Sequence, residues 1–326
     1  MLLIVKCIRT RPLKIRLLER KGLNQAALSQ KSRSPENIVP ADPNTCSEKK
    51  QLPLTDRLNF AKQITRSSGD DAVHALNVFT DNDIFMLKEK KLNIVSHIIA
   101  QPESYDQLKE ETARLLNAIC SYYNGRTYVT TSAQRKELVS SVLAALKSKK
   151  LSNYAAQHAI AALQKLSLRI TVQKDLISLG MMEWLTFYLE TMNVDNFPLE
   201  YGCALLLNLS INPASHSTAS RIANQLVATL ISLLKRDNET ICKYVNGALF
   251  VLLSINRVAS AASQIGLETV LRSKLERRHC NDDVMQIPQI FKVLRGGNAV
   301  NIDRFSGSGG SCGGGGDGGD GDCKPI

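Results

Sequence analysis

Asn117 and Asn208 are the polar residues whose placement first suggests chemistry, because each is the fifth residue of an Ala-x-Leu-Leu-Asn run. A carboxamide both donates and accepts hydrogen bonds, so asparagines at one register of successive helices can hold the main chain of an extended peptide. The same register continues as Lys165 and Leu252, which breaks the ladder. A capped or solvated asparagine on a helix is the competing reading. The five histidines, at 74, 97, 158, 216 and 279, form no H-E-x-x-H pattern. His279-Cys280 beside Asp282-Asp283 would need a distant ligand to complete a tetrahedral site, and reads better as a polar interhelical loop. There is no G-x-x-x-x-G-K phosphate loop and no G-x-S-x-G nucleophile elbow. The chemistry expected is therefore binding rather than catalysis, with no cofactor, no metal and no small-molecule substrate.

Eight cysteines contain no C-x-x-C pair, and Cys120, Cys203 and Cys242 fall inside apolar runs, where a free thiol acts as a small hydrophobe. A reducing compartment, the cytosol, is expected. Cys323-Lys324-Pro325-Ile326 fits a C-a-a-X lipidation pattern only formally, since Lys and Pro stand where aliphatic residues belong. Of the net charge of +11, most comes from residues 1–33, where nine Lys or Arg face one acid, Glu19. That excess forms a basic tail, with some resemblance to a mitochondrial transit peptide, and no stripe on a folded face, so nucleic acid is not the expected partner. No run approaches the roughly 18 apolar residues that would span a bilayer.

The elements that must position any site repeat along the chain. Ala204-Leu205-Leu206-Leu207-Asn208-Leu209-Ser210-Ile211-Asn212 matches Ala248-Leu249-Phe250-Val251-Leu252-Leu253-Ser254-Ile255-Asn256 at six of nine positions, 44 residues later. Weaker copies begin at Ala161 and Ala113. Leu226, Leu230, Leu233 and Leu234 recur at the 3.6-residue helical period, as do Leu138, Val142, Leu143, Ala145 and Leu146. Helical repeats of about 40–47 residues indicate armadillo or HEAT arrays, in which no unit buries its apolar face alone. Gly180 and Gly266 each precede an amphipathic run and offer a left-handed turn between helices, which favours the armadillo type. Asp237-Asn238-Glu239 separates two helices and should begin the second.

The fold expected is all-α, an armadillo-type right-handed α-solenoid over residues 54–295 with disordered tails. Residues 1–53 are basic and then Pro- and Ser-containing, and residues 296–326 hold 12 of the 19 glycines. Leu206, Leu209, Leu249 and Leu253 should lie in the core, and the copies at Ala113, Ala161, Ala204 and Ala248 should occupy equivalent helices.

Leu199-Glu200-Tyr201-Gly202-Cys203 leading into Ala204, Tyr244-Val245-Asn246-Gly247-Ala248-Leu249, Ala162-Leu163-Gln164-Lys165-Leu166-Ser167-Leu168, and Ala113 to Ala118 with Gly125-Arg126-Thr127-Tyr128 following carry a more specific likeness. Over residues 54–295 the chain resembles the armadillo segment of the LisH domain-containing armadillo-repeat proteins of cilia. The resemblance implies a non-enzymatic protein of the cytoskeleton. It would act at the basal body, centriole and ciliary tip in cilium assembly and length, ciliary microtubule stability and Hedgehog signalling, with proteins of those structures as partners. The LisH motif, coiled coil and acidic stretch of that family are not found here, so self-association through LisH is not carried over. The alternative is an armadillo adaptor binding extended peptides in cytoplasm or nucleus. A third reading, a nucleic-acid or mitochondrial protein, would rest on residues 1–50.

Overall fold

A computed structural model of the chain describes residues 70–88, 93–191, 196–236, 238–277 and 281–296. Outside the described residues lie the expected N-terminal tail, the first part of the array expected from 54, His279-Cys280, and the glycine-rich segment after Gly296 with Cys323. Among the described residues every regular element is helical.

Helices α1 (Asp70–Asp81) and α2 (Ile94–Ile99) precede a 3-10 turn at Glu103–Tyr105 and the long helix α3 (Asp106–Cys120). A three-helix pattern of short, medium and long helices then recurs. Its first copy is α4 (Tyr123–Thr131), α5 (Arg135–Lys147) and α6 (Asn153–Leu166). The second is α7 (Ile170–Ser178), α8 (Met181–Thr191) and α9 (Asn196–Ser210). The third is α10 (His216–Arg221), α11 (Ala223–Leu234) and α12 (Glu239–Leu252). The fourth is α13 (Asn256–Ile265), α14 (Leu267–Arg277) and α15 (Asn281–Leu294). Ala113, Ala161, Ala204 and Ala248 fall in α3, α6, α9 and α12, the long helix each time, as the repeat spacing requires. Three helices per unit is the armadillo arrangement.

The described residues divide into two compact units, one reaching Leu138 and including Leu151–His158, the other comprising Val139–Lys150 and the residues from Ala159 onward. In the first, Phe79, Phe85 and Tyr128 form an aromatic cluster with centroids 5.0–6.5 Å apart. The Tyr128 hydroxyl donates to Asp83 Oδ1 at 2.6 Å and accepts from the Phe85 amide at 3.2 Å. Its phenol pKa is raised, by burial first and by Asp83 second. That network ties the turn after α1 to α4. Helices α3 and α4 approach so closely that a Cβ on Gly125 would sit 2.1 Å from the Ile119 carbonyl oxygen.

In the second unit the long helices pack in succession, α9 on α12 and α12 on α15, while α8, α11 and α14 stack as a second layer. Leu206, Leu209, Leu249 and Leu253 are each no more than 2% exposed. The leucines of α11 and the apolar residues read over α5 are likewise buried. Every residue from Tyr201 to Ser210 is buried, because α9 is covered on several sides at once. Gly180 and Gly266 adopt φ of 73° and 84°, the left-handed turns expected between helices. Asn238 caps α12 by accepting from the Ile241 amide at 3.0 Å, with Glu239 in the first turn.

Candidate protein-interaction site

The long helices carry the repeat-equivalent positions, so any repeated site must be built from them. Asn117, on α3 in the first unit, is 8% exposed. Its amide nitrogen lies 2.9 Å from Nδ1 of His158, a donor–acceptor pair when the imidazole proton sits on Nε2. His158 in turn meets Tyr154 edge-on at 4.6 Å.

Asn208, on α9 in the second unit, is 7% exposed and bonds to the neighbouring repeat rather than to solvent. Its Nδ2 donates to Ser167 Oγ at 2.9 Å and reaches the Gln164 carbonyl at 3.4 Å. The seam continues as Gln173 Nε2 donates to the Ser167 carbonyl at 2.8 Å and Asn212 Nδ2 to Gln173 Oε1 at 3.1 Å. Both asparagines sit where the repeat spacing put them, and each spends its amide on a residue 41 positions away. A ligand main chain would have to displace those bonds. Of the positions that break the ladder, Leu252 is fully buried, while Lys165 holds its ammonium 5.6 Å from the centre of the Tyr201 ring.

That lysine marks a cluster the asparagine register does not include. Tyr201 packs edge-on against Phe197 at 4.8 Å, and Phe197 is 42% exposed. One residue before Tyr201, the half-buried Glu200 has its carboxyl pKa raised by burial, an effect opposed by a hydrogen bond from Asn238. Across on α12, Tyr244 has its phenol pushed up to about 12, by burial first and then by Glu200 and Tyr201. The Tyr201 phenol is raised for the same two reasons, burial and then Glu200. Among the described residues Glu200 has no salt-bridge partner.

The strict repeat register hides this cluster. Counting 44 residues from Glu200 leads to Tyr244, and from Tyr201 to Val245, so the two tyrosines are out of step by one residue and no aligned tyrosine pair shows in the sequence. The available signal was that Glu200, Tyr201 and Tyr244 all lie in the segments carrying the family likeness.

Thiol chemistry has no footing in the core. Cys120, Cys203 and Cys242 are buried thiols that form no disulfide, and burial pushes the Cys203 thiol up to about 12, so it is not a thiolate at neutral pH. Among the described residues no group of three or more His, Cys, Asp or Glu could hold a metal ion, and no helix is long and apolar enough to cross a membrane. A pocket of about 280 Å³ beside Arg221, Asn224, Gln225 and Arg257 falls below the ~300–1,000 Å³ typical of small-ligand sites.

Residues 176–295 match the family model described as LisH domain-containing protein ARMC9, ARM repeats. Among full-length relatives, LisH domain-containing protein ARMC9 of Danio rerio is 32% identical over 236 residues, covering 71% of this chain and 28% of that protein. The Mus musculus protein of the same name is 29% identical over 276 residues, covering 81% of this chain and 33% of that one. The chain thus spans about a third or less of the length of these relatives, and the resemblance read from its repeat segments holds over most of its own length. Among solved structures, a designed armadillo repeat protein in complex with the peptide (KR)4 aligns with TM-score 0.54 at 11% identity, over 73% of this chain and 99% of that one. An engineered protein aligns with TM-score 0.53 at 16% identity, over 74% and 97%. These likenesses establish the armadillo fold. Armadillo repeats of this family form a protein-binding scaffold.

Proposed function

We propose that this chain is a non-enzymatic scaffold of cilium assembly, acting at the basal body, centriole and ciliary tip on proteins of those structures. The proposed roles extend to ciliary microtubule stability, cilium length and Hedgehog signalling. The observation that carries the reading is the match of residues 176–295 to the ARM repeats of ARMC9, together with identity near 30% over most of the chain. The physical character of the array agrees with it. Asn208 is spent on stitching repeats together, the core thiol at Cys203 is protonated, and Phe197 is exposed on the long helix α9, an anchor of the kind that distributed contacts use.

A second reading, an adaptor for extended peptides, is favoured by the aromatic and acidic cluster on α9 and α12, and by the peptide named with the designed armadillo neighbour. The two readings differ in where the protein goes. Expressed with a proximity-labelling tag in ciliated cells lacking the endogenous protein, the full chain is expected to enrich basal-body and ciliary-tip proteins and to restore cilium length. Diffuse labelling without effect on cilia, from a folded chain, removes the ciliary reading and leaves the adaptor.

A further inference from the structure

We propose that the cavity between α10, α11 and α13 receives a phosphate monoester, the phosphorylated side chain of a partner protein, held by Arg221 and Arg257. The inference rests on the scaffold reading and names the chemistry by which one surface of the scaffold would recognise a partner.

The cavity, about 280 Å³, lies in the second unit and gathers residues from three helices. Ser220 and Arg221 end α10, Asn224 and Gln225 open α11, and Arg257 opens α13. Each of these side chains can donate a hydrogen bond, and no acidic residue lines the space. Glu183 and Glu190 of α8 reach toward the region, pairing with Arg221 and accepting from Gln225 Nε2 at 3.2 Å, but neither lines the cavity.

The two arginines are held differently. Arg221 meets Glu183 through one guanidinium nitrogen, which leaves its remaining N–H groups to bond elsewhere. Arg257 is exposed and has no hydrogen bond or ion pair among the described residues. It also stands where a cation is disfavoured, since the first turn of α13 is the positive end of that helix and carries no acid. The first turn of α11 likewise lacks both an acid and a side-chain cap. Uncompensated positive charge from both guanidiniums thus surrounds one space, and an arriving anion relieves it.

Size and charge select the ligand. The volume falls below the ~300–1,000 Å³ that encloses a small molecule, yet it admits a single phosphoryl group whose remainder stays on the partner outside. A phosphate monoester carries a charge of roughly −1.5 to −2 and several acceptor oxygens, so it can bond both guanidiniums at once. A carboxylate is satisfied by a single arginine, and Arg221 already has one in Glu183.

The probe is a peptide library degenerate around a fixed phosphoserine, passed over the immobilised full chain at about 0.15 M salt beside the same library built around serine. The phosphoserine library should be retained with preferred flanking residues, and the serine library should not. A selected peptide, labelled with fluorescein and read by anisotropy, should bind Arg257→Gln about tenfold more weakly than the parent. Because Arg257 has no partner in the fold, that variant should melt no lower than the parent, so the loss is not one of structure. Lys174→Gln, which removes the same charge from an exposed place on α7, should leave binding unchanged. Equal retention of the two libraries, retention of neither, or the same loss from both substitutions overturns the inference. So does a phosphoserine library retained without flanking preference, or a selected peptide that inorganic phosphate displaces at equal concentration, because the cavity then serves a free anion. A chain that labels basal-body proteins yet treats both libraries alike keeps the scaffold function and loses this site. One that selects phosphoserine peptides yet labels nothing at the basal body keeps the site and loses the ciliary function.

Discussion

At the scale of single residues, Glu200 links the candidate site to stability. Burial raises its pKa in the folded chain, so between its unfolded and folded pKa values the native state binds more protons. Stability from this group is therefore highest at low pH and falls as pH rises through the folded value. At neutral pH the ionised form carries the full penalty. Glu200→Gln should melt at a higher temperature than the parent at pH 7, with the gap shrinking as the pH is lowered to about 4. Parallel thermal melts check this, and a variant less stable than its parent at pH 7 would mean that the carboxylate is satisfied in the fold. Asn117 and Asn208 sit at the opposite extreme. Their amides are used between repeats, where a lost partner would leave buried polar groups unpaired.

Helices and their junctions obey two different glycine requirements. Gly266 closes α13 at φ 84°, and nothing lies within 4 Å of where its Cβ would be. Gly266→Ala should cost about 1 kcal/mol from backbone conformation alone. Gly125 has an ordinary helical φ, but its Cβ would meet the backbone of α3, so Gly125→Ala should reach the upper end of the roughly 1–3 kcal/mol typical of overpacking. Denaturant melts should rank the parent above Gly266→Ala and that above Gly125→Ala. The first requirement was readable in the sequence, because a glycine before an amphipathic run signals a left-handed turn. The second was not, since a close approach between α3 and α4 depends on how they pack. The same division runs through the whole array. Ala113, Ala161, Ala204 and Ala248 marked the long helices because burial imposes one small residue at one place in each repeat. The cluster at Glu200 stayed hidden because its members come from α6, α9 and α12 with a one-residue offset, and glutamate and tyrosine are common on any surface.

For the molecule as a whole, a stack of repeats is held by neighbours, so protection should follow the number of neighbouring layers. Helix α9, buried throughout residues 201–210, should show the slowest amide exchange of the second unit, and α15 faster exchange. Hydrogen–deuterium exchange read by mass spectrometry decides this, and equal rates in α9 and α15 would rule out a nearest-neighbour account. The burial of α9 also matters before the chain is complete. On the ribosome, the apolar stretch from Tyr201 to Ser210 emerges ahead of α12, against which it packs, and Ala204 and Ala248 are 44 residues apart. At about 5–20 residues per second, the nascent helix waits roughly 2–9 s for its cover. During that interval the face that α12 will cover is open to chaperones, and a transcript ending before Glu239 would leave that face bare for the life of the product.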